Sequence, residues 1–139
     1  MPIGTIPILK NFWEAGKAKM KVYEGKRVKS KYLVTVNDGS KTTPLVPFFQ
    51  GRPKLGHEFN WGWGFNCFGA IRLAQAMLAD FFGCNRKDFL EDERKVDLSY
   101  YFGMNVFKKL QKGQDWALTG KDIEKALSKI VKRTGLSYN

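Results

Sequence analysis

The sequence predicts an α+β fold, a small antiparallel sheet packed against two or three helices, and three observations carry that prediction. In the first third of the chain Tyr32, Val34 and Val36 alternate with other residues, the period of a half-buried strand. Over residues 70–82 apolar side chains fall at 70, 71, 73, 74, 77, 78, 81 and 82, a broad stripe at helical spacing. A second stripe, Ile123, Ala126, Leu127, Ile130 and Val131, follows a capping signal at Thr119 and Asp122. Strand signals gathered ahead of helix signals, rather than alternating with them, mark the α+β class.

Taken in order, residues 1–19 form an arm in which Ile6, Ile8 and Leu9 precede Phe12 and Trp13, two rings able to dock on the body, and residues 20–139 form one α+β domain. Residues 20–23 read as a strand, residues 24–27 (Glu-Gly-Lys-Arg) as a turn, and residues 31–36 as the returning strand of a hairpin. Asn37-Asp38-Gly39-Ser40 is a turn signal, and Pro44, Pro47 and Pro53 make 41–56 an irregular or edge segment. Phe59, Trp61, Trp63 and Phe65 then alternate with small or polar residues, so an extended chain places the four rings on one face as a further strand. The helix at 70–82 is stopped by Gly83. Residues 84–97 mix both charges and read as a solvated connection with a helical turn near Phe89-Leu90. Residues 98–111 read as a second helix, weakened by Gly103, and Trp116-Ala117-Leu118 as a short strand. A third helix starts at Thr119 and ends at Gly135.

The 139 residues suit one domain of roughly 100–150 residues. Aromatics at 14% argue against disorder. No run of about 18 apolar residues offers a membrane span, and the apolar start is broken by Pro2 and Pro7, which makes it a poor signal peptide. Cys67 and Cys84 flank the predicted helix, too far apart for an intrachain disulfide, so two free thiols imply a cytoplasmic location. The formal charge of +11 is uneven: net +7 over residues 1–58, −1 over 59–107 and +5 over 108–139. Basic termini around a neutral middle attract polyanions, either nucleic acid or an acidic protein. Lys outnumbers Arg 18 to 6. Base-reading contacts favour Arg, so contact with nucleic acid would rest on backbone charge.

Tyr23-x-Gly25, Val34-x-Val36, Phe59-x-Trp61-Gly62-Trp63-Gly64, the run Leu73-Ala74-x-Ala76-Met77-Leu78-Ala79-Asp80, Phe107-Lys108 and Trp116-x-Leu118-Thr119 with Ile123 occur in that order. In this order and spacing the chain resembles, over about residues 20–130, a small family of domains of unknown function found in bacteria, archaea and their viruses and plasmids. The resemblance supports the fold and supplies no activity. Where that family tends to carry Gly-Ser-Gly-Pro, this chain has Phe65-Asn66-Cys67-Phe68-Gly69, which puts any site of that loop in question here.

Chemistry-bearing residues are sparse. His57 is the only histidine, and a straight aromatic strand would hold it about 30 Å from Cys67. A nucleophile–base pair therefore lacks its geometry. No spacing suits zinc or calcium, and Gly62-x-Gly64 lacks the third glycine of a dinucleotide loop. No catalytic residue, metal ligand or cofactor is assigned. The aromatic row can either stack bases, with Arg52 and Lys54 at its mouth, or wall the core against the helix at 70–82; core burial is the favoured use in so small a domain. The cationic candidates are Lys26, Arg27, Lys29 and Lys31 on the hairpin, and Lys121, Lys125, Lys129, Lys132 and Arg133 on the last helix, where cations also suit the helix dipole. The expectation is a non-enzymatic cytoplasmic protein that binds nucleic acid or nucleoprotein with low specificity. The alternative is an adaptor or inhibitor carried by a virus or mobile element and docked on an acidic partner.

Overall fold

A computed structural model of the chain describes residues 20–29, 31–45, 67–111 and 114–136. The arm at 1–19, the aromatic row at 59–65, Arg52, Lys54 and His57 lie outside the described residues, as do the side chains of Lys31 and Cys67.

Four antiparallel strands make the sheet: β1 (Val22–Val28), β2 (Lys31–Asn37), β3 (Thr42–Pro44) and β4 (Trp116–Thr119), in the order β3-β2-β1-β4. The α+β prediction therefore holds, and so does the strand at 116–118. The turn predicted at 24–27 does not. β1 runs straight through it, pairing Gly25 with Val34 on one side and with Trp116 on the other. The chain reverses beyond Val28 instead, where Lys29 adopts a left-handed φ of 59°. Glycine is needed at 25 because the Trp116 indole lies across it: a Cβ there would overlap the ring, with Cζ2 2.6 Å away and two further ring atoms nearer still. The second turn is as expected. Gly39 has φ 98°, and Asp38 accepts from the Ser40 and Lys41 amides and the Ser40 hydroxyl. These bonds to the charged form hold the Asp38 carboxyl down at about 2.

One face of the sheet carries Tyr23, Val34, Val36 and Trp116 into the core. Helix α1 (Cys67–Phe82) packs there with Leu73, Ala74, Met77, Leu78, Phe81 and Phe82 buried. Ala76 and Ala79 are buried as well, so α1 is enclosed on most of its circumference, and Arg72 and Asp80 are its only charged residues. It ends in a glycine cap: Gly83 has φ 70°, its amide donates to the Asp80 carbonyl at 3.1 Å, and the Cys84 amide to that of Ala79 at 2.9 Å. Tyr23 ties sheet to helix by donating its hydroxyl to Asp80 Oδ2 at 2.5 Å, and Lys21 Nζ reaches the same oxygen at 3.1 Å. Burial first, then the Asp80 charge and this hydrogen bond, push the Tyr23 phenol far above its ordinary range.

The connection at 84–97 is more ordered than expected. It holds helix α2 (Arg86–Glu91), capped by Asn85, and the start of helix α3 (Glu93–Phe102), capped by Asp92. Its charges are the solvent side of these two helices, while Phe89 is fully buried. The helix predicted over 98–111 is also corrected. α3 gives way at Gly103 to a π-helical turn, Gly103–Phe107, in which Lys108 donates to the Gly103 carbonyl at 2.9 Å. The wide turn shifts the phase by one residue, so Phe107 rather than Val106 is fully buried, 5.7 Å from the Phe102 ring and 4.9 Å from Trp116. Gly103 is a point of contact, not a weak spot: a Cβ there would meet the Ala70 carbonyl at 2.9 Å and Ile71 Cα at 3.0 Å. Helix α4 (Gly120–Thr134) starts at the Thr119/Asp122 capping box, buries Ile123, Leu127 and Ile130, and ends at Gly135 with φ 71°.

Candidate functional site

Packing α4 by its apolar stripe leaves its basic face outward, and the π-helical turn lies alongside. Between them runs an open groove of about 410 Å³. Half-buried Val106 and Ala126, with the edge of the buried Ile130, supply its apolar lining. Lys125, Lys129 and Arg133 stand along one wall at successive four-residue steps, so all three project from the same side of α4. Lys109, just beyond the π-helical turn, faces them, with Asn105 beside it. The four cations are exposed. The one carboxylate in the lining is Asp122, at the α4 N-terminus, where its Oδ2 accepts from the Thr119 amide at 2.9 Å. The groove thus has a cationic length and one acidic end.

Of the residues singled out from sequence, the structure gathers Lys125, Lys129 and Arg133 into this groove. Lys121 and Lys132 are exposed on α4 but do not line it. Lys26, Arg27 and Lys29 are exposed on the β1–β2 hairpin, and none of them lines the groove. Arg27 is turned onto its own hairpin, with Nε donating to the Lys29 carbonyl at 3.1 Å and the guanidinium 5.8 Å from the Tyr32 ring centre. Lys109, Asn105 and Val106 were missed. Asn105 and Val106 belong to the π-helical turn and Lys109 follows it, and all three line the groove together with α4 residues. The available signal was the Phe107-Lys108-Lys109 run, a buried ring followed by two cations.

Other chemistry is limited. Among the described residues no group of three or more His, Cys, Asp or Glu could hold a metal ion. Cys84 is a half-buried free thiol whose sulfur accepts from Lys95 Nζ at 3.2 Å, and Lys95 is also 3.6 Å from Asp92. The Cys67–His57 pair lies outside the described residues. No described helix is long and apolar enough to cross a membrane.

Residues 23–129 match the family model of DUF6166, a family of unknown function. The chain belongs to this family. No curated protein and no solved structure matches it. The DUF6166 span opens at Tyr23, the residue that pins sheet to helix, and takes in Gly25, Trp116 and most of α4. It includes Lys109, Lys125 and Lys129, while Arg133 falls just past its end.

Proposed function

We propose that this chain is a non-enzymatic binding protein that holds polyanions through the α4 groove, most directly the phosphate backbone of nucleic acid, with low sequence specificity. The observation that carries this reading is the convergence of Lys109, Lys125, Lys129 and Arg133 on one open groove with a single carboxylate at its end. Three of the four are lysines, compact point charges on flexible stems that suit phosphate without fixing base identity. The basic hairpin adds a second patch to the long-range field. A reducing cytoplasm suits the free Cys84 thiol.

The test is direct. Binding of fluorescent random-sequence oligonucleotides is followed by anisotropy from low to moderate salt. If four phosphate contacts are made, log K falls against log salt with a slope of about −3 on single strands. Absence of binding at low salt rejects the proposal.

A second reading has its own support. Tyr100 and Tyr101 are 48% and 36% exposed and pack edge to face at 5.3 Å, the kind of surface ring pair that protein interfaces favour. An adaptor or inhibitor carried by a virus or mobile element would use them beside an acidic partner. A complex of fixed stoichiometry lost on Tyr100→Ala/Tyr101→Ala, with no oligonucleotide binding, would establish it instead.

A further inference from the structure

Resting on the polyanion reading, we infer that the groove takes a short extended single strand of nucleic acid, laid along α4, in preference to a duplex. Three features point to this ligand. The first is spacing. Lys125, Lys129 and Arg133 recur at four-residue steps on one helix, which places them about 6 Å apart along its axis. That is the interval of successive phosphates on an extended strand, so the three wall cations serve three consecutive phosphodiesters. The second is size. A groove of about 410 Å³ is in the range of a small-molecule pocket and accommodates a nucleotide or two, whereas a duplex would touch only its rim. The third is the lining between the charges. Half-buried Val106 and Ala126 supply the apolar part of that lining, and the Asn105 amide offers both a donor and an acceptor. A strand with splayed bases can rest a base face on such a lining, while paired bases stay stacked inside their helix.

The acidic end fixes the register. Asp122 repels a phosphate placed beside it, so the anionic run begins at Lys125 and extends toward Arg133. Lys109 on the opposite wall closes over the middle of the strand. An acidic peptide could also present charges at a similar interval, but it would bring no flat base for the apolar lining and no edge for Asn105. Single-stranded DNA and RNA share the chemistry invoked, and the experiment separates them.

The experiment uses the full chain at low salt with dT12, U12, a 12-base-pair duplex and polyglutamate, together with a dT length series. The expected result is single-strand binding, in either the dT12 or the U12 arm, about tenfold tighter than duplex. Affinity should rise steeply until three phosphates are present and only statistically thereafter. Lys129→Glu should weaken single-strand binding about tenfold or more, and Lys129→Arg should retain it. Lys87→Glu on α2 makes the same change of net charge away from the groove and should leave binding within about twofold. Folding of each variant is checked by circular dichroism. Duplex binding equal to or tighter than single-strand binding overturns this inference while leaving the polyanion reading standing. Equal loss in Lys87→Glu and Lys129→Glu, or polyglutamate bound as tightly as dT12, also overturns it. Absence of all oligonucleotide binding rejects both.

Discussion

Gly25 and Trp116 are cross-strand partners, and the indole occupies the volume that a side chain at 25 would need. The nearest atoms belong to a large ring boxed in by Phe107 at 4.9 Å, so the ring cannot simply swing aside. Gly25→Ala should therefore destabilise by about 1–3 kcal/mol or more, the usual cost of overpacking. The Gly25→Ala/Trp116→Phe pair should lose less than the sum of its single changes, because the smaller ring makes room. Urea unfolding of the four proteins measures the coupling. Tyr23 supports a different prediction. Its phenol stays protonated in the fold well beyond the pH at which it ionises in the unfolded chain, about 10. A group with a raised folded pKa stabilises fully below the unfolded value and loses that contribution as pH rises. Above about pH 10, stability should fall by about 1.4 kcal/mol per pH unit on account of Tyr23 alone. Tyr23→Phe should cost about 1–3 kcal/mol at neutral pH and remove that increment of alkaline slope. Equal slopes in the two proteins would show that the fold does not keep the phenol protonated.

At the scale of elements, two predictions turn on helix ends and helix contacts. Thr119→Ala removes the acceptor for the Asp122 amide at 3.1 Å and should cost about 1 kcal/mol by denaturant titration. Gly103→Ala sets two effects against each other. Helix propensity favours alanine by about 1 kcal/mol. The new Cβ, however, would press on backbone atoms of Ala70 and Ile71 at 2.9 and 3.0 Å, which cannot yield without parting α1 from the π-helical turn. The contact should win, with net destabilisation; a net gain would mean that the two elements can separate freely. The same elements show what the sequence made legible. Helix α4 was readable at both ends because its capping box and Gly135 are local signals, and α1 because its apolar stripe is long. The turn at 24–27 was misread because Gly in a strand and Gly in a turn look alike until the partner ring, ninety residues away, is known. Gly103 stood out as a weak point of a helix, but its use, a close approach to the backbone of α1, depends on a segment more than thirty residues away that the local sequence does not show. Asn85 and Asp92 did carry capping signals, but they sat in a run of mixed charge that reads as a solvated loop.

At the scale of the molecule, the described cationic candidates fall on two patches, the α4 groove and the β1–β2 hairpin, that the sequence identified without showing how they differ. α4 was legible as basic because Lys125, Lys129 and Arg133 lie on one helix, but Lys109 joins them only through the fold. In the groove these cations surround a concave surface. On the hairpin, Lys26 and Lys29 stand exposed, and Arg27 bonds to its own turn. Exposed charges without a concave surface act mainly over distance, on the rate of encounter, whereas charges that enclose a ligand act on its escape. Neutralising the hairpin with Lys26→Gln/Lys29→Asn, where asparagine tolerates the left-handed backbone at 29, should therefore slow association of an oligonucleotide severalfold with little change in dissociation. Lys125→Gln/Lys129→Gln should do the reverse, raising the dissociation rate about tenfold or more. Stopped-flow association and competitor chase at two salt concentrations separate the rates, and the hairpin effect should fade at the higher salt as screening shortens its reach to about 8 Å. If the two pairs of substitutions changed the same rate constant to the same degree, the polyanion would be meeting a diffuse basic surface, and the groove would have no special part in holding it.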